Sequence, residues 1–220
     1  MVPTRERQAY SLLLADDLTL VREGLAALCA AQPQYQVVAQ CADGASALRS
    51  IESQRPDLAI LDLNLPDLFT LEIVRRVREA KLPTKIVVLS VRRDRKTVVE
   101  ALRGGVNGFL LKSAPARELL EALEQVLDGS IYVSPQLELN KIFSTNHKAA
   151  PEDPLDLLSS REYQVFSLLI EGIRAKEIAA RLELSPKTVD TYRASLMRKL
   201  DIHDVAGLVK FAIHRDLTSA

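Results

Sequence analysis

DLAILDLNLPDLFT, residues 57–70, is the stretch that decides the fold. Asp57–Leu61 is a short apolar run of strand character, ended by Asp62. A turn around Pro66 follows, and Phe69–Ala80 carries a helical pattern. An apolar strand that hands over to a helix in this way is a βα unit. The same alternation extends to both sides. Upstream, Ser11–Ala15 reads as strand and Leu18–Ala31 as helix, with Leu18, Val21, Leu25 and Leu28 at helical spacing. Tyr35–Cys41 is a second strand, before a helix over Ala45–Gln54. Downstream, strand Lys85–Leu89 precedes helix Arg95–Arg103, and strand Gly108–Leu111 precedes helix Pro115–Leu127. Five such units imply an α/β, doubly wound (βα)5 parallel sheet with helices on both faces.

The rest of the chain changes character. Ser134-Pro135 starts a short helix to about Phe143, and Ser144–Asp156, with two prolines, reads as an interdomain linker. No strand pattern follows. Ser159-Ser160-Arg161-Glu162 is a capping box that opens a helix to about Glu171, closed by Gly172. Ala175–Leu182 is a short helix. Ser185 caps and Pro186 opens a longer one to Leu200, and a last helix covers Asp204–Arg215. A short helix, a brief turn and a basic helix make a helix-turn-helix pattern. The expected organisation is a sheet domain over 9–129, a linker with a short helix over 130–156, and an all-α, four-helix domain over 157–220.

Bulk composition excludes several classes. Of 220 residues, 47% are apolar and 26% charged, which suits globular domains; aromatics at 5% and no Trp make the core aliphatic. Basic and acidic residues balance at 29 each, so a nucleic-acid partner must be recognised by local charge. Cys29 and Cys41 sit in apolar stretches and form no disulfide framework, and His147, His203 and His214 lack zinc spacing. No apolar run approaches about 18 residues, so no membrane span is expected. Met1–Tyr10 lacks the apolar core of a signal peptide, which makes the cytoplasm the expected compartment.

Doubly wound sheets bind ligands outside the carboxyl ends of their strands. There stand Asp16 and Asp17 after the first strand, Asp62 after the third, Ser90 after the fourth and Lys112 after the fifth. Taken singly, an Asp pair is an ordinary helix cap, Lys112 a surface lysine and Ser90 a turn residue. Together, three carboxylates repel one another and call for a cation. Oxygen-only ligands favour Mg²⁺. A carboxylate nucleophile, a metal, a lysine and a hydroxyl are the parts of phosphoryl transfer to aspartate.

LLLADD (12–17), LAILDLNLPD (58–67), VVLS (87–90) and GVNGFLLK (105–112) make the first 128 residues resemble a CheY-like receiver domain. The resemblance implies that Asp62 accepts a phosphoryl group from a sensor histidine kinase. It implies that Asp17 ligates Mg²⁺ directly, Asp16 through water, and Asn64 by its backbone carbonyl, beside Asp62. Ser90 and Phe109 would be the switch pair, with Phe109 turning inward on phosphorylation. One residue departs from the pattern: Thr70 stands where receivers usually have Gly, which raises the question of how the loop after Asp62 is shaped.

In the C-terminal part, Pro186–Leu200 carries Lys187, Arg193, Arg198 and Lys199 against Asp190 alone. Such a helix suits a phosphate backbone or is simply a solvated face. LSSRE (158–162), KEIAARL (176–182), LSPKTVDTYRASLMRKL (184–200) and AGLVKFA (206–212) resemble the output domain of the NarL/FixJ, or LuxR-type, response regulators. The resemblance implies that Asp190, Thr191 and Ala194 face base edges of promoter DNA, while Lys187, Thr188, Arg193 and Lys199 meet phosphates. Val205, Leu208, Val209 and Ala212 would form a homodimer contact, or else plain core. Arg174 departs from the usual Ser or Asn before KEIA, which predicts a weaker helix cap.

The implied protein is a transcription factor switched by Mg²⁺-dependent phosphorylation, not an enzyme. A pseudo-receiver regulator, controlled by a partner or by abundance, is the alternative. A haloacid-dehalogenase-type phosphatase would want a second acid two residues after Asp62, where Asn64 stands.

Overall fold

The computed structural model describes residues 9–137, 153–215 and 217–218. They divide into two compact units. The first runs to Val91 and resumes at Ala101; the second joins Arg92–Glu100 to the residues from 153 onward. Among the described residues, no helix is long and apolar enough to cross a membrane.

The first unit and the segment that leaves it alternate β1 (Tyr10–Ala15), α1 (Thr19–Ala30), β2 (Tyr35–Cys41), α2 (Gly44–Gln54), β3 (Leu58–Asp62), α3 (Thr70–Glu79), β4 (Lys85–Ser90), α4 (Arg95–Arg103), β5 (Gly108–Leu111) and α5 (Ala116–Leu127), of which the α4 residues up to Glu100 belong to the second unit. Every strand pairing is parallel, in the order β2-β1-β3-β4-β5, with one further strand beside β5. The expected α/β sheet is therefore present. The sixth strand, β6 (Tyr132–Val133), is an addition beside β5 that the sequence reading omitted. Two residues are too few for a periodic signal, and Ile131 before them is exposed. Of the short helix expected from Ser134, the described residues hold only its first part, a 3-10 turn over Pro135–Leu137. The rest of it, and most of the linker, lie outside the described residues.

Strand burial explains the continuous apolar runs. On one sheet face Leu12, Leu14, Leu58, Ile60, Val87 and Leu110 pack with Leu119, Ala122, Leu123 and Val126 of α5 and with Cys29 of α1. The alternate residues Leu13, Ala59, Leu61, Ile86 and Val88 are also fully buried. A sheet covered on both faces needs apolar residues at every position, so the strands show no polar alternation.

The second unit holds α6 (Ser160–Ile170), α7 (Ala175–Arg181), α8 (Pro186–Leu200) and α9 (Val205–Ile213). Their starts follow local rules. Ser159 and Glu162 form the reciprocal capping box, and Ser185 accepts from the Thr188 amide with Pro186 in the first turn. Arg174 makes no side-chain cap at α7, as its departure from Ser or Asn predicts. Gly172, at φ +78°, ends α6 in the left-handed region. Phe166, Leu169, Ile178, Val189, Leu196 and Leu208 are among the core.

A buried polar cluster fastens Arg92–Glu100 into this unit. The Tyr163 hydroxyl of α6 donates to Asp94 Oδ1 at 2.8 Å and accepts from Arg92 Nη2 at 2.6 Å, and it also meets Thr97 Oγ1. Arg92 Nη1 donates to Ser167 Oγ at 3.1 Å. Arg92 is 2% exposed, a cost in desolvation that this set of partners offsets. Burial, with the negative charge of Asp94 beside it, pushes the Tyr163 phenol well above its ordinary pKa, so it remains a neutral donor.

One close approach shapes the region after Asp62. A Cβ on Gly44, at the start of α2, would lie 2.1 Å from the Leu68 carbonyl oxygen, and the Gly44 amide donates to Pro66 O at 2.9 Å. Backbone cannot yield there as a flexible side chain would. Gly44→Ala is expected to destabilise the sheet unit by about 2 kcal/mol, read as a lower urea midpoint of the full chain.

Candidate functional site

The strand ends of the first unit bring the sequence candidates together. Asp16 and Asp17 follow β1, and Asp62 ends β3; their carboxylate oxygens lie within 4.8 Å of one another. Asp16 is fully buried, Asp62 nearly so, and Asp17 is exposed. From the end of β5, Lys112 Nζ reaches 2.8 Å from Asp16 Oδ2 and 3.2 Å from Asp62 Oδ1. The Lys112 amide donates to Ser90 O at 2.8 Å, which ties the β4 and β5 ends. Ser90 and Phe109 are both buried.

These groups do not balance electrically. Burial raises the Asp62 pKa above the ordinary range; Lys112 opposes the rise, and Asp16 and Asp17 reinforce it. Burial likewise works against the Lys112 charge, but the carboxylates of Asp16 and Asp62 outweigh it and raise its pKa. The lysine stays charged while one carboxylate remains undercompensated. The helix-cap role open to Asp16 is realised only in part: Oδ1 accepts from the Leu18 amide at 3.0 Å, yet α1 has no side-chain cap. Arg22 was missed in sequence; it donates to the Asp16 carbonyl at 2.6 Å from one turn into α1.

In the second unit, α8 exposes Lys187, Asp190, Thr191 and Ala194, with Thr188 and Arg193 partly exposed. Arg198 continues this exposed face at helical spacing. Arg193 lies 3.4 Å from Asp190, a surface pair. Lys199 differs: its Nζ donates to Glu162 Oε2 at 2.6 Å, and Ser195 Oγ donates to Glu162 Oε1 at 2.7 Å. Glu162 therefore serves both the α6 capping box and the docking of α8. Sequence reading found only the first role, because the second needs tertiary placement.

The four candidates for a dimer contact separate. Leu208 and Ala212 are 0% exposed and lie in their own unit's core, whereas Val205 is 40% exposed and Val209 partly so. This corrects the expectation for Leu208 and Ala212: a second chain cannot reach side chains already enclosed. Ile213, exposed and one turn beyond Val209, extends the accessible apolar stripe.

A parallel sheet with acidic strand ends and a lysine, followed by a capped helix-turn-helix unit, defines a receiver-and-output protein. The comparisons agree in both halves. The family described as response regulator receiver domain matches residues 12–124, and that described as bacterial regulatory proteins, luxR family, matches 156–212. The oxygen regulatory protein NreC of Staphylococcus haemolyticus is 33% identical over 212 residues, covering 94% of this chain and 98% of its own. The receiver domain of the response regulator NarL from Mycobacterium tuberculosis is 31% identical with a TM-score of 0.54, over 56% of this chain and 98% of that one. RcsB from Salmonella typhimurium shares the fold with a TM-score of 0.79 at 22% identity, over 94% and 98% of the chains. The chain belongs to the NarL/FixJ, or LuxR-type, family of two-component response regulators, DNA-binding proteins of transcription control.

The Glu162 pair makes a pH prediction. Burial disfavours its charge, but Lys199, Ser195 and Ser159 together lower its pKa to about 2. The unfolded value is near 4.3, so the contribution is present above that pH and fades as pH falls toward 2. Glu162→Gln is expected to cost about 2 kcal/mol at pH 7 and to flatten the stability loss between roughly pH 4.5 and 2, as measured by urea unfolding across pH.

Proposed function

We propose that the protein is switched by phosphorylation of Asp62 and then binds promoter DNA as a homodimer. The convergence of Asp62 with Asp16, Asp17 and Lys112 supports this reading most directly. A carboxylate oxygen of Asp62 would attack the phosphorus of a phosphohistidine on a sensor histidine kinase. The P–N bond would break, leaving an acyl phosphate on Asp62 and histidine on the kinase. Mg²⁺ fits the donor set: Asp16, Asp17, Asp62 and the Asn64 carbonyl are all hard oxygen ligands. When bound, it supplies charge neutralisation to the transferring group. Lys112 would hold a phosphoryl oxygen, Ser90 would move toward it, and Phe109 would turn inward. The switch acts within the cytoplasm, and the two domains are the receiver at 9–129 and the output domain at 157–220.

The signal would pass along the chain. Ser90 ends β4, and only Val91 separates it from Arg92, which Tyr163 and Ser167 hold in the second unit. At the output end, Asp190, Thr191 and Ala194 read bases, while Lys187, Thr188, Arg193 and the exposed Arg198 meet phosphates. RcsB has been seen bound to a promoter in the presence of phosphomimetic BeF₃⁻, which suits the same sequence of events here.

Wild type and Asp62→Ala incubated with acetyl phosphate and Mg²⁺ test the switch. The wild type alone should gain an alkali-labile phosphate. Modification of neither protein would assign control to a partner or to abundance, as in a pseudo-receiver. The dimer has its own test. Ile213→Lys, which places a charge on the exposed stripe of α9 without touching Leu208 or Ala212, should weaken dimeric DNA binding about tenfold, for a lost contact of about 1.4 kcal/mol. A gel-shift titration at fixed salt would show it.

A further inference from the structure

Thr70 stands where the receiver pattern has Gly, and the structure gives it a specific partner. Its Oγ1 donates to the backbone carbonyl of Asp62 at 2.5 Å, and Thr70 is fully buried at the start of α3. The other half of the same peptide group is also held, because the Leu63 amide donates to Leu89 O at 2.9 Å on β4. The Asp62–Leu63 peptide plane is thereby fixed at both its oxygen and its nitrogen. Asp62 hangs from one side of that plane, and the chain to Asn64 leaves from the other.

The remainder of the loop is closed around this anchor. Gly44 N donates to Pro66 O, and the Leu68 carbonyl rests against Gly44. The left-handed residue of the loop is Asp67, at φ +66°, three positions before Thr70. Asp tolerates that region better than most residues. Position 70 therefore needs no glycine freedom, and its side chain is available for a bond. Asn64 lies inside the closed loop, and its Oδ1 is buried without a hydrogen-bond partner. The loop conformation that keeps it there has to be held by other contacts.

We propose that Thr70 is a positioning residue for the acceptor site: its hydroxyl closes the 62–70 loop and so sets the Asp62 carboxylate and the Asn64 carbonyl for the cation. The role rests on Asp62 being the acceptor and on the oxygen donor set taking Mg²⁺. It acts through backbone geometry, because Thr70 touches neither the carboxylate nor the phosphoryl group. A hydroxyl tether restricts the loop before the ligand arrives, and such preorganisation strengthens binding by cutting the ordering cost.

The test uses the full chain with Thr70→Val, which keeps the shape and removes the donor, Thr70→Ser, which restores the donor, and Thr70→Gly, the residue usual in receivers. Mg²⁺ affinity is read from amide shifts of residues 62–64 in an NMR titration, without any phosphodonor. The acetyl phosphate reaction is then followed against Mg²⁺ concentration, and thermal unfolding is recorded separately. Thr70→Val and Thr70→Gly should weaken Mg²⁺ binding about fivefold and shift the Mg²⁺ dependence of phosphorylation by the same factor. Thr70→Ser should stay within about twofold of the wild type. Equal Mg²⁺ affinity in wild type and Thr70→Val, even with a lowered melting temperature, would make Thr70 a purely structural helix-start residue and overturn the role. Failure of Thr70→Ser to restore affinity would overturn it too. A wild type that neither binds Mg²⁺ nor accepts phosphate would sink the switch reading itself, a result distinct from a competent wild type matched by Thr70→Val.

Discussion

One lysine set against three carboxylates is the constraint around which the sheet unit is arranged. Asp16 and Asp62 come from adjacent strands, β1 and β3, and Lys112 from β5, beyond β4. Strand order alone brings these positions to one edge, since parallel strands end on the same side. Burying such groups costs stability unless they are paired. The protein meets that cost for Asp16 through Lys112, the Leu18 amide and a turn braced by Arg22. Asp62 keeps a carboxylate less well compensated, and a group in that condition gains from a cation or from a new covalent partner.

Much of this arrangement was legible because its causes are local. Apolar runs of strand length, caps such as Ser159 with Glu162, and the Ser185-Pro186 start are short-range signals, and the five expected strands and the nine α-helices among the described residues formed within a residue or two of their expected ends. The convergence of Asp16, Asp17, Asp62 and Lys112 could be read because one rule, the carboxyl-end rule for doubly wound sheets, converts sequence order into spatial neighbourhood. Where no such rule applies, the sequence was silent. Nothing in REYQVFS announces that Tyr163 will meet Arg92, Asp94 and Thr97, some seventy residues upstream. Leu208 and Ala212 were candidates for a dimer surface because the family resemblance points to the last helix, and a resemblance does not say how much of that helix's apolar stripe the chain's own core consumes.

Thr70 shows a third kind of illegibility. As a departure from a family pattern it could be noticed, but its meaning depended on a hydroxyl-to-carbonyl distance. The left-handed turn at Asp67 and the bare Cα of Gly44 are what let the loop fold tightly enough for that bond to form. Three residues, spread over two helices and a loop, thus share the work of shaping one turn.

Charge in the output unit follows the same economy. The chain as a whole is neutral, so long-range attraction to DNA cannot come from net charge. It must come from where the cations point. Lys199 is committed to Glu162 and fixes α8 against α6, and Arg193 is balanced by Asp190 on the helix surface. Lys187 and Arg198 stand exposed on the face that also presents Thr191 and Ala194. A helix whose cations are partly spent on its own placement binds the backbone less strongly than its sequence charge suggests. On the proposed reading, base contacts and a second copy would have to supply the rest, since two reading helices joined in one dimer gain by effective concentration what each lacks alone.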